Sequence, residues 1–271
     1  MTKRIGILYF SPTNTTKKIC NAIALGMGEN APVKLNITKP DFRERLISNP
    51  DAILDNIDHL IIGAPVYAGK LPLQVIESLK TITGNGKECT IVVVYENRDY
   101  GVALKNLAEI LTENRFKIKA AGAFIGQHSY SEIIPIAIGR PDKNDLELAY
   151  NFGKNCISNS KHLAIAEIPK QIDWISKSKS YFKSVTAKYI SENCTQCGIC
   201  AKHCPTGIIA AETGDYIRKE AKANCIGCMA CVFKCKNEAR IIEANFLIKF
   251  ILRTHLRKAS VKRLEPLVIF P

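Results

Sequence analysis

Eight of the chain's 11 cysteines fall in two matching runs. The first is Cys194, Cys197, Cys200 and Cys204, and the second is Cys225, Cys228, Cys231 and Cys235. Both read C-x2-C-x2-C-x3-C, each behind an asparagine (Asn193, Asn224), and they are offset by 31 residues. Soft thiolates select iron–sulfur clusters over hard cations, and this is the ligand spacing of two [4Fe–4S] cubes. Three cysteines at x2 intervals wrap three irons of one cube, and the fourth leaves on a new segment to ligate the other. One cluster is therefore assigned to Cys194, Cys197, Cys200 and Cys235, the other to Cys225, Cys228, Cys231 and Cys204. Structural zinc would use C-x2-C pairs with four ligands per ion, which triplets with an interleaved fourth do not match. Disulfides would need an oxidising compartment, and the start of the chain shows no secretory pattern. Pro205 follows the first run, whereas Lys236 stands at that place after the second; all eight ligands are retained.

A second chemical feature lies near the N-terminus, in the loop Ser11-Pro12-Thr13-Asn14-Thr15-Thr16. Hydroxyl side chains and backbone N–H groups in a turn that opens a helix make an anion site, to which the helix dipole adds. The loop has no lysine at the Walker position and no G-x-G-x-x-G triplet, so neither of those phosphate motifs applies.

The elements that must position these residues follow from periodicity. Arg4–Phe10, Val33–Ile37, His59–Ala64, Thr90–Tyr95 and Ala120–Ile125 are apolar, strand-like runs, the look of strands buried on both faces. Helical spacing is expected over Lys17–Met27, Leu73–Lys80, Val102–Asn114 and Asn144–Ser158. Five strands with interposed helices predict an α/β doubly wound parallel sheet over residues 1–160. Residues 161–185, with the lone Trp174 and the stretch SKSKSYFKS, read as a connector. Residues 186–242 hold the cysteine runs as a small α+β domain. A unit near 60 residues buries little apolar surface of its own, so cluster loading and folding should be coupled. Residues 243–271 read as a basic amphipathic tail, expected to pack back on its own protein rather than on a membrane surface. Cys20, Cys89 and Cys156 lack ligand spacing and read as buried small hydrophobes.

No apolar run reaches the roughly 18–20 residues that a spanning helix needs, so a cytoplasmic protein is expected, in a reducing and anaerobic or low-oxygen cell. The net charge is +13, and residues 177–271 carry 17 Lys and Arg against 7 Asp and Glu. Two oxidised clusters with their thiolates would add about −4, so a cluster-compensating surface is the plainest reading. Docking to an acidic redox protein is the next. No nucleic-acid-binding motif is present.

The loop SPTNTT resembles the phosphate loop S/T-x-T-G-x-T of flavodoxins, with Asn14 in place of the glycine. Asn is the next residue after Gly to accept a positive φ. GAPVYAGKLP and YENRDYG follow the third and fourth strands, where flavodoxins place their ring-binding loops. The resemblance implies bound FMN, held by Ser11, Thr13, Asn14, Thr15 and Thr16 at the phosphate. Around the ring it implies Pro65, Val66, Tyr67, Ala68 and Gly69, with Asn97, Arg98, Tyr100 and Gly101 opposite. His128 in GQHSYS lies on the same edge and reads as an ordinary hydrogen-bonded loop histidine. Taken with the cysteine runs, the order resembles the flavodoxin–ferredoxin fusion proteins of anaerobic bacteria and archaea. That implies electron transfer between two [4Fe–4S] clusters and FMN within one chain, fed and drained by redox partner proteins. The alternative is a flavin-dependent reductase of a small acceptor, such as a quinone, a nitro compound or an oxygen species.

Overall fold

The computed structural model describes residues 3–158, 160–171 and 185–271. The first part alternates strand and helix: β1 (Ile5–Tyr9), α1 (Thr15–Gly26), β2 (Val33–Asn36), α2 (Pro40–Ser48), α3 (Pro50–Leu54), β3 (His59–Pro65), α4 (Leu73–Lys80), β4 (Glu88–Tyr95), α5 (Ala103–Glu113), β5 (Lys117–Ile125) and α6 (Lys143–Ser158). The strands pair in parallel in the order β2-β1-β3-β4-β5. This is the doubly wound order of the flavodoxin type, with ligands expected at the carboxyl ends of the strands. Every residue of β1 and β3 is buried, which explains their unbroken apolar runs. One core packs Leu8, Ile62, Val93 and Leu107 on one face of the sheet. The other packs Ile7, Ile19, Val92 and Phe152 between the sheet and α1 and α6. Cys20, Cys89 and Cys156 are buried in these cores as small apolar groups.

The second part is small. β6 (Thr186–Tyr189) pairs antiparallel with β7 (Arg240–Glu243). Between them lie the short helices α7 (Ile199–Lys202) and α8 (Ala230–Lys234). The two halves repeat in backbone as well as in sequence. Gln196 and Gly227, Gly198 and Met229, and Gly207 and Glu238 all have positive φ. Each pair is separated by the 31-residue offset of the cysteine runs.

The tail packs back on its own protein, as expected, and adds a strand that its periodicity did not announce. α9 (Phe246–Val261) buries Leu252, Leu256 and Ala259 against Ile134, Val185 and Val232. It leaves Phe246, Leu247 and Phe250 exposed. The chain then returns to the first part, where β8 (Leu267–Ile269) pairs antiparallel with β5. The sheet thus has six strands, five parallel and one antiparallel at the edge. The tail is a strap between the two parts, and its last strand covers an edge that would otherwise stand unpaired. Two short helices, α2 and α3, fill the crossover from β2 to β3, which periodicity did not resolve. Leu163 N–H donates to the Ile118 carbonyl at 2.7 Å, and Ile168 is fully buried in the first core. The start of the connector therefore belongs to the sheet domain. Trp174 and the SKSKSYFKS stretch lie outside the described residues.

Candidate functional site

The first cysteine cavity is lined by Cys194, Cys197, Cys200 and Cys235, with Tyr189, Gly214 and Arg240. The second is lined by Cys204, Cys225, Cys228 and Cys231, with Ile209, Tyr216, Ile226 and Met229. Each cavity thus draws three thiols from one run and the fourth from the other, the grouping the interleaved spacing predicts. Among the described residues, no three His, Cys, Asp or Glu side chains converge on a single ion; these thiols surround a volume. Gly214 shows how closely that volume is fitted, because a β-carbon there would stand 3.0 Å from Cys194 Sγ.

Left-handed residues turn backbone N–H groups onto the sulfurs. Gln196 N–H donates to Cys194 Sγ at 3.4 Å, and Ala239 N–H donates to Cys235 Sγ at 3.2 Å. Such bonds stabilise thiolate and the reduced cluster, and so raise the potential. The inner thiols need more. Burial pushes Cys231 up to about 12 and Cys228 well above its ordinary value. Thiolates there require the positive charge of bound iron. A four-thiol donor set around a fitted cavity suits an iron–sulfur cube.

The N-terminal loop is built as an anion cradle. Asn14 adopts φ 68°, the left-handed conformation expected where the related loops have glycine. Ser11 Oγ accepts from Lys17 N–H at 3.0 Å, and Ser11 N–H donates to Thr38 Oγ1 at 2.7 Å. Thr16 is fully buried at the start of α1, and its Oγ1 has no hydrogen-bond partner. α1 also has no acidic side chain in its first turn. An unmatched buried hydroxyl and a helix N-terminus without an acidic side chain, on one loop, fit a phosphate group.

A cleft next to this loop is lined by Thr13, Thr15, Pro65, Tyr67, Tyr95, Glu96, Gly126, Gln127 and Ser129. Of the ring-loop residues named from sequence, Pro65 and Tyr67 line it and the others are placed differently. Val66 is buried in the sheet core. Ala68 and Gly69 form the tip of a tight turn, with φ 47° and 73°, closed by hydrogen bonds between Tyr67 and Lys70. The Gly69 backbone packs against Gly101, where any β-carbon would collide with it. Tyr100 is buried edge-on against Tyr95, with centroids 5.6 Å apart. Arg98 lies near Glu96 and His128 and is felt by both.

Asn97 departs furthest from the expected ring contact. Its Nδ2 donates to the Ala259 carbonyl at 2.8 Å and to the Lys262 carbonyl. Its Oδ1 accepts from Leu264 N–H at 2.9 Å. The amide is committed to the tail, which no spacing or motif places beside it.

Three residues of this site were not singled out from sequence. Glu96 lines the cleft, and burial pushes it up to about 7 against the pull of Arg98. Its signal was its position directly after β4. Tyr130 is buried, and its hydroxyl meets Gly227 of the second cysteine loop. Gln171 accepts from Tyr100 N–H at 3.1 Å and donates its own N–H to the Gly101 carbonyl at 2.8 Å. His128 is held neutral: burial and Arg98 push it down to about 4, and Nδ1 accepts from Tyr130 N–H at 2.8 Å.

The two sites adjoin. Ile226 and Tyr67 both pack against the main core of the sheet domain. The nearby Cys225 and Cys228 thiols help hold the Tyr67 and Tyr130 phenols up, after burial. On the other flank, Arg43 Nη2 donates to the Pro205 carbonyl at 2.7 Å, and Lys39 Nζ donates to the Lys202 carbonyl. The cube site of Cys204, Cys225, Cys228 and Cys231 is thus the inner one. The site of Cys194, Cys197, Cys200 and Cys235 is the outer one, with Cys197 exposed.

Comparison with known proteins agrees with this geometry. A family model described as a 4Fe-4S dicluster domain matches residues 169–240. Ferredoxin-1 of Chlorobaculum tepidum is 43% identical over 56 residues, which are 19% of this chain and 90% of that protein. Among solved structures, flavodoxin 1 of Bacillus cereus is similar at 20% identity and a TM-score of 0.41, over 57% of this chain and 97% of that one. The rubredoxin:oxygen oxidoreductase of Desulfovibrio gigas is similar at 18% identity and a TM-score of 0.43. The flavodiiron core Flv1 of Synechocystis is similar at 14% identity and a TM-score of 0.42. The chain spans 35% and 36% of the length of those last two chains. At these scores the structural likenesses add nothing to the strand order described above. Through residues 169–240, placed behind a sheet of flavodoxin order, the chain belongs to the ferredoxins with two [4Fe–4S] clusters.

Proposed function

We propose that the chain is an electron-transfer relay: electrons pass between a redox partner, the outer cluster, the inner cluster and an FMN held by the sheet domain. The observation that carries this reading is the seating of the second cysteine loop on the candidate flavin loops. Gly227 lies on Tyr130, and Ile226 packs against the same sheet-domain core as Tyr67. Bound FMN would supply a centre that exchanges two electrons in single steps. Thr13, Thr15, Thr16 and the start of α1 would hold its phosphate, and Tyr67 would border its ring. The protein's part is to fix the cofactors' spacing, exclude water and set charge around them. Cys197 is the exposed ligand and marks the outer cluster as the port for a partner. The excess of Lys and Arg in residues 177–271 favours a partner with an acidic face. Eight cysteines serving as thiolate ligands and three buried as thiols suit a reducing cytoplasm.

Glu96 favours a second reading, as a reductase of a small acceptor. A cleft carboxyl raised to about 7 is a proton donor matched to neutral pH. Anaerobic purification with iron, sulfide and flavin counts tests the first reading. About eight irons and one FMN per chain are expected from two cubes and one flavin site; two or fewer irons, or no flavin, overturns it. Steady turnover of a quinone or nitro compound by the purified chain alone would establish the second.

A further inference from the structure

Arg240 is the largest fully buried side chain among the described residues, at 2% exposure. Its guanidinium lies between the rings of Tyr189 and Tyr216, 5.1 and 4.8 Å from their centroids. Nη2 donates to the Gly214 carbonyl. Nε and Nη1 are buried and meet no hydrogen-bond partner. No carboxylate among the described residues lies within ion-pair distance of it. A buried cation with unspent donors is strongly disfavoured unless an anion answers it. Arg240 lines the outer cavity, alongside Cys194, Cys197, Cys200 and Cys235.

The internal repeat sharpens the point. Counting back 31 residues from Arg240 gives Ile209, which is buried and lines the inner cavity. The two half-domains match in ligands and in left-handed turns, yet at this place one offers hydrocarbon and the other a cation. Packing would be served by an apolar side chain in both halves. The difference is one of charge, at a place where each electron gained adds a negative charge.

We propose that Arg240 is a positioning and charge-compensating residue for the outer cluster: its unpartnered Nε–H and Nη1–H groups serve the sulfur atoms there and set the outer cluster's reduction potential above the inner one's. The inner cavity, walled by Ile208, Ile209, Ile226 and Met229, provides no equivalent cation and disfavours added charge. The first electron to enter the chain then rests on the outer, partner-facing cluster. The inner cluster acts as the low-potential step toward the flavin. This rests on the assignment of two clusters and is independent of whether the sheet domain binds FMN.

The test is an anaerobic redox titration of the full-length holoprotein, read by electron paramagnetic resonance. Iron and sulfide counts on the same samples keep a failed cluster assignment distinct from a failed role for Arg240. In the unmodified protein the two clusters titrate apart; a single shared potential overturns the proposal. Arg240→Met, near in length and uncharged, lowers the higher potential by at least a tenfold change in equilibrium constant, about 59 mV for one electron. Iron content stays unchanged. Arg240→Lys keeps the charge and loses the fork, so it moves the same cluster in the same direction by less. If Arg240→Met does not assemble, Arg240→Lys carries the comparison. Full iron content with both potentials unmoved, in either variant, overturns the proposal.

Discussion

The hydroxyl of Tyr130 stands directly against Gly227: a β-carbon built on Gly227 would lie 2.7 Å from it. Tyr130 follows the last parallel strand of the sheet domain, and Gly227 sits between the inner-cluster ligands Cys225 and Cys228. Gly227 also has φ 66°, a conformation that costs other residues about 1 kcal/mol or more. Gly227→Ala is therefore expected to push the cysteine loop off the sheet domain. The rate of electron exchange between clusters and flavin should fall tenfold or more while iron content holds, as read by rapid-mixing absorbance. An unchanged rate would show that this contact does not set the cofactor spacing.

Thr16→Val removes a buried hydroxyl that has no protein partner. If that hydroxyl serves a phosphate, FMN binding should weaken by about 1.5–3 kcal/mol, the value of a hydrogen bond to a charged group. The flavin-free protein should unfold at the same or higher urea, since an unsatisfied polar atom is gone. Fluorescence titration with FMN and urea midpoints read the two effects separately. Lost stability with unchanged affinity would make Thr16 a packing residue.

Asn97→Ala separates the tail from the flavin. The variant loses the bonds to Ala259, Lys262 and Leu264, at a cost of about 1–3 kcal/mol. β8 should then leave the edge of β5 more readily, and limited proteolysis should cut within residues 262–271 sooner. FMN affinity should change less than threefold. A large loss of affinity with an intact tail would restore Asn97 to the flavin site.

The folding that brings this latch together was only partly legible. β1, β3 and β4 announce themselves because both of their faces are covered, so each carries an unbroken apolar stretch. The cysteine runs announce their clusters because cube geometry fixes the spacing. β8 does not, because Leu267-Val268-Ile269 is too short to show a period and gains its place only by pairing with β5. Asn97 looked like a ring contact from its position after β4, and its real partners lie 162 to 167 residues away. Arg240 stands in no motif and enters the sequence only as one of the 17 Lys and Arg of residues 177–271. Laying one half-domain on the other would have set it against Ile209 and flagged it.

Stability should fall with acid well before the carboxylates are protonated in bulk. His59 is buried beside Glu88 and Thr90, and burial pushes it down to about 4, partly offset by Glu88. A histidine lowered in this way stays neutral in the fold, while the unfolded chain takes up a proton below about 6.5. Its contribution is therefore full above that pH and is lost as pH falls toward 4. Glu88 adds to the trend at lower pH. Burial alone would raise it, yet the Lys3 hydrogen bond and Lys119 hold it at about 2. Its share is present above about 4.5 and is lost as pH falls toward 2. Urea midpoints of the flavin-free protein should drop between pH 7 and pH 5, and less so in His59→Gln. Equal midpoint drops in the two proteins would remove His59 from the account.

The relay itself is tested most directly by single-turnover reduction without oxygen. One electron per chain is delivered to the clusters, and the flavin absorbance is followed at several protein concentrations. The account predicts a first-order flavin signal whose rate does not depend on concentration, because donor and acceptor share one chain and the Gly227–Tyr130 contact joins their sites. A rate that rises in proportion to protein concentration, or a flavin that stays oxidised beside reduced clusters, would contradict it.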